Sequence, residues 1–153
     1  MNKSKENKVR KPLGWLYLGA ATVLLPIYKI KYNVKFDRSG IKDLKGPAVV
    51  LGQHLSNKDH VLVGLTLYPR RVNFVASRHF TMKPLLKKIF SVMGVITKKM
   101  FCRDISAVKS MLSAVKDGRI IMLFPEGRLP ANGKSVPVTD GTVSLIRKLG
   151  VDV

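Results

Sequence analysis

Short apolar runs along the chain predict the strands of a β-sheet. Residues 48–51 and 120–124 are continuously apolar, as in strands that are buried on both faces. The run at 120–124 is the longer of the two, and we place it in the centre of the sheet. Residues 71–76 predict another strand, and Val34 and Phe36, which alternate with polar neighbours, predict a further, half-buried one.

Helical spacing of apolar residues predicts helices between and after these strands. The predicted segments are 61–65, 85–93, 105–115 and 142–149. Asp104 is a suitable N-cap for the helix that follows it, and Gly118 lies where a helix-ending glycine belongs. Strands that alternate with helices predict an α/β fold, with a central, mostly parallel β-sheet flanked by helices.

The N-terminal part of the chain has a different pattern. An uncharged stretch from Pro12 to Tyr28 lies between lysine-rich flanks and is barely long enough to cross a bilayer. Pro26 weakens a straight span, and the aromatic residues of the stretch suit a membrane interface. We predict that residues 13–31 form a monotopic anchor on the cytoplasmic face of the cell membrane, with lysines on anionic lipid phosphates. The alternative is a buried core helix.

The composition indicates a folded and strongly basic protein. A chain of 153 residues with 46% hydrophobic residues can bury a core, which excludes a disordered basic tail. We divide it into a basic N-terminus with the anchoring helix, residues 1–32, and one α/β domain, residues 33–153. Its 28 Lys and Arg against 9 Asp and Glu give a net charge of +19. That excess predicts an acidic partner, which is nucleic acid, an anionic membrane or an acidic protein.

His54 and Asp59 form the first candidate site, after the strand at 48–51. On a regular helix the two would lie about 140° apart, so they can meet only if His54 lies in a loop and Asp59 in the first helical turn. A carboxylate bonded to one ring nitrogen leaves the other nitrogen able to act as a general base toward a hydroxyl. The alternative is a capping box, in which Ser56 and Asp59 only close the start of the helix.

Two other segments carry candidate ligand-binding residues. The segment with Glu126, Gly127 and Arg128 follows the central strand, which is where α/β folds bind ligands. Glycine lets a ligand approach the backbone, arginine forks onto phosphate, and the glutamate can orient the arginine or accept from a hydroxyl. Arg103 lies at a predicted helix start, which also favours anions. The alternatives are a turn with a solvated arginine and a surface pair of Arg103 with Asp104.

The order of these residues resembles that of the glycerolphosphate acyltransferase family. His54 and Asp59 are followed by Arg103 and then by Phe-Pro-Glu-Gly at 124–127, behind a basic and apolar N-terminus. The resemblance implies an enzyme of phospholipid biosynthesis. It would move a fatty acyl group from acyl-CoA or acyl-acyl carrier protein to the free hydroxyl of 1-acylglycerol 3-phosphate, forming phosphatidic acid. The alternatives are glycerol 3-phosphate as the acceptor and an inactive, truncated membrane-binding fragment.

The resemblance also implies a role for each matching residue. His54 would be the general base, Asp59 would orient and polarise it, and acyl transfer would be direct, without an acyl-enzyme. Ser56 matches a serine of the family's first motif and would support the site. The residues implied in binding the acceptor are Arg103, Glu126, Gly127 and Arg128.

The sequence departs from the family's pattern in three places. Gln53 stands where the family usually has asparagine, and Arg128 follows Gly127 where the family commonly has threonine. The chain stops at residues 151–153, where the family continues into a strand with a fourth motif. We therefore expect a fragment or a truncated product.

The charge of the chain and the family resemblance together predict its partners and cofactors. The positive charge suits an anionic membrane surface, lysophosphatidic acid as the acceptor and an acidic acyl donor, and we predict no nucleic-acid partner. We predict no cofactor. We also predict no metal, because His54, His60 and His79 with a single cysteine do not have the spacing of a zinc site. We predict that His60 and His79 are structural or surface residues.

Overall fold

The protein forms an α/β domain with an N-terminal helix packed on it. The computed structural model describes residues 9–100, 102–130 and 136–151. Its helices are α1 (Gly14–Tyr32), α2 (Asp59–Thr66), α3 (Pro84–Val92), α4 (Ile105–Lys116) and α5 (Asp140–Leu149). Its strands are β1 (Ala48–Leu51), β2 (Val72–Ser77), β3 (Ile96–Lys98) and β4 (Ile120–Leu123), and short 3₁₀ helices lie at Ser39–Ile41 and Arg78–Met82.

The strands form one parallel sheet in the order β1-β4-β2-β3. β4 lies between two neighbours, which confirms the predicted central position of its apolar run. Leu51 at the end of β1 is in register with Leu123 at the end of β4. The loops that follow these two strands therefore leave the sheet side by side, at the edge where parallel sheets bind ligands.

The core has two layers because successive residues of β4 face opposite sides of the sheet. Ile121 and Leu123 pack in the cluster that contains residues of α4 and α5. Ile120 and Met122 pack in the other cluster, which contains Tyr17 of α1. All four strand residues are buried, so helices cover both faces of the sheet and the fold class is the predicted one.

One strand prediction was wrong, and one strand was not predicted. Val34 and Phe36 lie in irregular chain between α1 and the first 3₁₀ helix, because two alternating residues are too few to form a strand without a neighbour to pair with. The short strand β3 was not predicted, and it exists because Ile96 pairs with Val75 of β2. The predicted opening of a further strand at residues 151–153 falls largely outside the described residues.

Helix α4 has both of its predicted end signals. The Asp104 carboxylate accepts a hydrogen bond from the Ala107 N–H at 3.1 Å, as an N-cap does. At the other end Gly118 has φ +70°, and the N–H groups of Gly118 and Arg119 donate to the carbonyls of Val115 and Ala114. This pattern is a Schellman motif, which only a left-handed residue allows.

We expect that replacing Asp104 by Ala lowers the free energy of unfolding by about 1 to 2 kcal/mol at neutral pH. Burial raises the pKa of Asp104, but hydrogen bonds from the Lys99 and Ala107 N–H groups outweigh it and lower the pKa overall. A lowered native pKa stabilises the fold above the unfolded value of about 3.9, and the contribution is lost as the pH falls through the native pKa. Urea unfolding of the variant at several pH values measures this.

The matched control for this measurement is Lys109→Ala, at an exposed position of the same helix. The difference in stability between Asp104→Ala and the wild type should shrink in acid, while that for Lys109→Ala stays near zero. Equal stability of the two variants at neutral pH would contradict the capping role.

Candidate active site

His54 and Asp59 meet in the loop between β1 and α2. His54 lies in this loop, and Asp59 is the first residue of the helix. The His54 Nδ1 and Asp59 Oδ2 atoms are 3.1 Å apart, and the two side chains are only 12% and 14% exposed. A carboxylate only accepts, so Nδ1–H donates to it and the lone pair of the imidazole stays on Nε2. This is the loop-and-first-turn arrangement that the spacing required.

Asp59 also holds the loop itself. The same oxygen, Oδ2, accepts hydrogen bonds from the backbone N–H groups of Leu55 at 2.7 Å and Ser56 at 2.6 Å. Ser56 Oγ accepts from the Lys58 N–H at 3.0 Å. The Ser56 and Asp59 side chains thus close the start of the helix, much as a capping box does. The Asp59 carboxylate therefore both orients His54 and closes the start of the helix.

An aromatic cluster fixes the plane of the His54 ring. Phe124, the first residue after β4, stacks on His54 with ring centroids 4.0 Å apart and an interplanar angle of 11°. His60 of α2 contacts Phe124 edge-on at 4.6 Å and His54 at 5.4 Å. The imidazole therefore has its plane set by Phe124 and its rotation by Asp59. This role of Phe124 was not predicted from the sequence.

His60 is an uncharged neighbour of His54. Burial lowers the pKa of His60, and the positive charge that His54 can carry lowers it further. An unperturbed histidine titrates near 6.5, so His60 is neutral at neutral pH. Its Nε2 atom is buried and has no hydrogen-bond partner in the described part of the chain. The prediction that it is a structural residue fits its burial, but its place beside His54 was not predicted.

Glu126 lies beneath the His54 loop. It is 6% exposed, and its Oε1 atom accepts a hydrogen bond from the His54 backbone N–H at 3.3 Å. This contact joins the loop after β4 to the loop after β1. Gly127 ends the turn with φ +68°, and its N–H donates to the Phe124 carbonyl at 3.1 Å. Arg128 follows as an exposed side chain.

A mostly apolar cavity of about 940 Å³ opens beside His54. This volume is at the upper end of the range, about 300–1,000 Å³, in which proteins hold small organic ligands. Its polar lining near the site comes from His54, His60, Gly127 and Arg128. Its apolar walls come mainly from α1, α2, β2 and α3, with further residues from α4, β4 and α5. They include Ala20, Ala21, Leu24, Val61, Gly64, Phe74, Phe90, Met93, Met111, Leu123 and Leu145. The cavity is therefore an apolar chamber with a basic, histidine-containing end.

The cavity is lined by one cation that was predicted to bind the acceptor, Arg128, and by one that was not predicted, Lys98. Among the described residues, the lysine and arginine side chains that line it are Lys98 and Arg128. Arg103 is exposed and does not line the cavity, and its neighbour Phe101 lies outside the described residues. Lys98 ends β3, next to Ser77 at the end of β2. Lys98 was not predicted as a site residue because β3, which places it at this edge of the sheet, was not predicted.

Helix α1 contributes to the cavity with one face and is exposed on the other. Tyr17 and Ala21 are buried against the domain, and Gly64 of α2 leaves room for the Phe74 ring of β2 beside them. Burial raises the pKa of Tyr17 to about 12. The outer face exposes Trp15, Ile30 and other apolar side chains. No helix in the described ranges has both the length and the hydropathy to cross a membrane.

These features define a class of protein. A histidine bonded to an aspartate at the carboxyl edge of a parallel sheet, beside an apolar chamber, is an arrangement that can activate the hydroxyl of an apolar substrate. The chain matches the family model described as Acyltransferase over residues 29–153. It therefore belongs to this acyltransferase family, which comprises the glycerolphosphate and lysophosphatidic acid acyltransferases and carries out acyl transfer in lipid biosynthesis. No solved structure matches the chain.

Proposed function

We propose that the protein transfers a fatty acyl group from acyl-CoA or acyl-acyl carrier protein to the free hydroxyl of 1-acylglycerol 3-phosphate, forming phosphatidic acid. The observation that carries this proposal is the pair of His54 and Asp59 beside an apolar cavity that His54, Lys98 and Arg128 line. This combination offers a base for a hydroxyl, cations for a phosphate and space for an acyl chain. A lysophospholipid with a phosphate headgroup has these three parts.

The transfer begins when His54 Nε2 removes the proton of the acceptor hydroxyl. The oxygen attacks the thioester carbonyl, and the resulting tetrahedral intermediate collapses as the carbon–sulfur bond breaks. The electron pair leaves on sulfur, and the imidazolium returns its proton to the thiolate. Asp59 stabilises the imidazolium and holds Nδ1–H, so Nε2 is the basic atom at each turnover.

The acceptor phosphate binds to the cations that line the cavity. Arg128 can donate two parallel hydrogen bonds to a phosphate, and Lys98 adds a second positive charge. Gly127 has open space where a side chain would stand, so its backbone can lie close to the ligand. Glu126 positions the His54 loop through Oε1 and thereby supports the acceptor site. Arg103 stays a candidate that the experiment below compares with Lys98.

The apolar cavity holds an acyl chain, and the basic surface meets anionic partners. The cavity walls are mostly apolar side chains, which suits a hydrocarbon chain. The exposed apolar face of α1, together with Lys29 and Lys31 at its end, binds the cytoplasmic face of an anionic membrane. The net charge of +19 also favours an acidic acyl donor.

A matrix of donors and acceptors tests the proposed function. The purified chain is assayed with acyl-CoA and with acyl-acyl carrier protein, each against 1-acylglycerol 3-phosphate, glycerol 3-phosphate and a lysophospholipid without a phosphomonoester. We expect phosphatidic acid to be the main product. If glycerol 3-phosphate is used preferentially, it is the acceptor in place of 1-acylglycerol 3-phosphate. If neither donor gives any transfer, the proposal is overturned.

Lys98→Ala should raise the KM for the acceptor about tenfold or more, with a smaller effect on the KM for the donor. Removing one charge-assisted hydrogen bond to phosphate costs about 1.5–3 kcal/mol. Lys99→Ala is the matched control, because this neighbouring lysine is exposed and does not line the main cavity. Steady-state kinetics with the acceptor varied at fixed donor gives both constants.

The same assay shows where the phosphate of the acceptor binds. If Arg103→Ala raises the acceptor KM while Lys98→Ala behaves like Lys99→Ala, the phosphate binds at the helix start and the assignment to Lys98 is wrong. If both variants raise it, the two cations share the phosphate.

A further inference from the structure

A second apolar surface lies outside helix α1. Phe80 and Met82 of the 3₁₀ helix and Leu85 and Ile89 of α3 are all exposed, and Met82 and Leu85 are 76% and 69% exposed. Leu85 and Ile89 are one turn apart and share a face of α3. We call these four residues the α3 patch. Single exposed apolar residues are common on protein surfaces, but four within ten positions of the chain form a patch that needs a partner.

The charged residues that lie near the α3 patch in the sequence are all basic. Lys83, Lys87 and Lys88 are exposed and alternate with the apolar residues, and Arg78 begins the 3₁₀ helix. The sequence has no acidic residue between Asp59 and Asp104. Exposed apolar side chains interleaved with lysines, without a compensating carboxylate, match the chemistry of an anionic bilayer surface.

The α3 patch is continuous with the cavity. Phe80 and Ile89 are exposed and also line the cavity, and the Phe80 ring lies 6.4 Å from that of Phe90 on its wall. The start of α1 lies at the far end of the same helix, because the Leu13 N–H donates to the carbonyl of Val92, the last residue of α3, at 3.1 Å. Helix α3 thus joins the patch and the cavity lining to the start of α1.

We propose that the α3 patch inserts into the interfacial layer of an anionic membrane and seats the cavity mouth on the bilayer. A lipid can then pass from the leaflet along Phe80 and Ile89 into the cavity without crossing water. The proposal rests on the proposed function only in that the cavity accepts a lipid, and membrane insertion of the patch is measured without turnover. An acidic protein is the other possible occupant, but a protruding apolar surface joined to a lipid-sized cavity favours the membrane.

A tryptophan reporter tests insertion directly. Trp15 is the only tryptophan of the chain, so Trp15→Phe gives a silent background for Met82→Trp. Vesicles of phosphatidylcholine with one third phosphatidylglycerol carry bromine on their acyl chains. We expect quenching and a blue shift of the Met82→Trp emission with these vesicles, and much less with phosphatidylcholine alone. Lys116→Trp in the same background is the control, because the exposed Lys116 ends α4 just before β4 begins, at the opposite edge of the sheet.

The outcomes separate the proposal from its alternatives. Quenching at position 82 without quenching at position 116 supports it. Vesicle binding without quenching at position 82 overturns it, since α1 alone then makes the contact, and so does a failure to bind vesicles. Binding of an acidic carrier protein that shields position 82, with no effect of vesicles, assigns the patch to a protein.

A charge variant tests the consequence for function. Met82→Glu with Leu85→Glu should weaken vesicle binding about tenfold or more, since each side chain loses its apolar burial. Neither residue lines the main cavity, so turnover of a short-chain, water-soluble acceptor should be unchanged, while turnover of acceptor in vesicles should fall. Equal loss with both forms of acceptor would contradict the proposal. Absence of all turnover in the wild type would refute the proposed function but leave the quenching result intact.

Discussion

Replacing His54 by Ala should lower kcat for acyl transfer about one hundred- to ten thousand-fold, which is the contribution typical of a positioned general base. The Nε2 atom of His54 is the unpaired basic atom that Asp59 prepares, at 3.1 Å through Nδ1. The KM of either substrate should change little, because the base acts in the transition state. Initial rates at saturating donor and acceptor measure the loss.

His54→Phe is the matched control for this variant. The phenyl ring can keep the stack on Phe124 that alanine loses, so it separates loss of the base from loss of packing. Both variants should lose transfer to a similar extent, while thermal unfolding should show a smaller stability loss for His54→Phe. Transfer by either variant within tenfold of the wild type would show that His54 is not the base.

Replacing Asp59 by Asn should lower kcat by about two to four orders of magnitude. The amide is uncharged, so it no longer stabilises the imidazolium or selects the tautomer with the proton on Nδ1. The same carboxylate oxygen accepts from the Leu55 and Ser56 N–H groups, so the variant should also lose about 1–3 kcal/mol of stability. Kinetics and urea unfolding of one preparation give both effects.

Ser56→Ala separates these two roles of Asp59. It removes the hydrogen bond that Ser56 Oγ accepts from Lys58 and leaves the contact between His54 and Asp59 in place. We expect a stability loss of about 1 kcal/mol with kcat nearly unchanged. If Asp59→Asn keeps its kcat and only unfolds more easily, the carboxylate closes the helix and has no part in the chemistry.

Local sequence patterns were sufficient to predict most of the helices and strands. The stripe at 105–115 predicted α4, and Asp104 and Gly118 marked its two ends, because capping depends on side chains and φ angles within a few residues. The apolar run at 120–124 predicted the central strand, because a strand covered on both faces needs apolar residues at every position. These features depend only on neighbours in sequence.

Elements that depend on distant partners were predicted less well. Strand β3 forms because Val75 pairs with Ile96, and nothing in its three residues indicates this partner. Val34 and Phe36 show the alternation of a strand but have no strand to pair with. Hydrogen bonds between strands join residues far apart in the chain, so the pattern of one segment cannot decide whether it pairs.

The candidate active site also has parts that depend on sequence neighbours and parts that depend on distant segments. The spacing of His54 and Asp59 required a loop followed by a helix start, and the local capping interactions of Ser56 and Asp59 provide both. The stack of Phe124 on His54 depends instead on the parallel register of β1 with β4, which brings their loops together.

The sequence by itself determined the α/β class, the positions of most helices, the His54–Asp59 pair and the basic, apolar character of the chain. Only the tertiary structure decided that Lys98 lines the cavity and that Arg103 does not, that His60 lies beside His54, and that the α3 patch adjoins the cavity mouth. The physical reason is that caps, turns and helical faces arise from interactions over a few residues. A cavity arises from the packing of segments that are distant in sequence, here from α1 to α5, and that meet only in the fold.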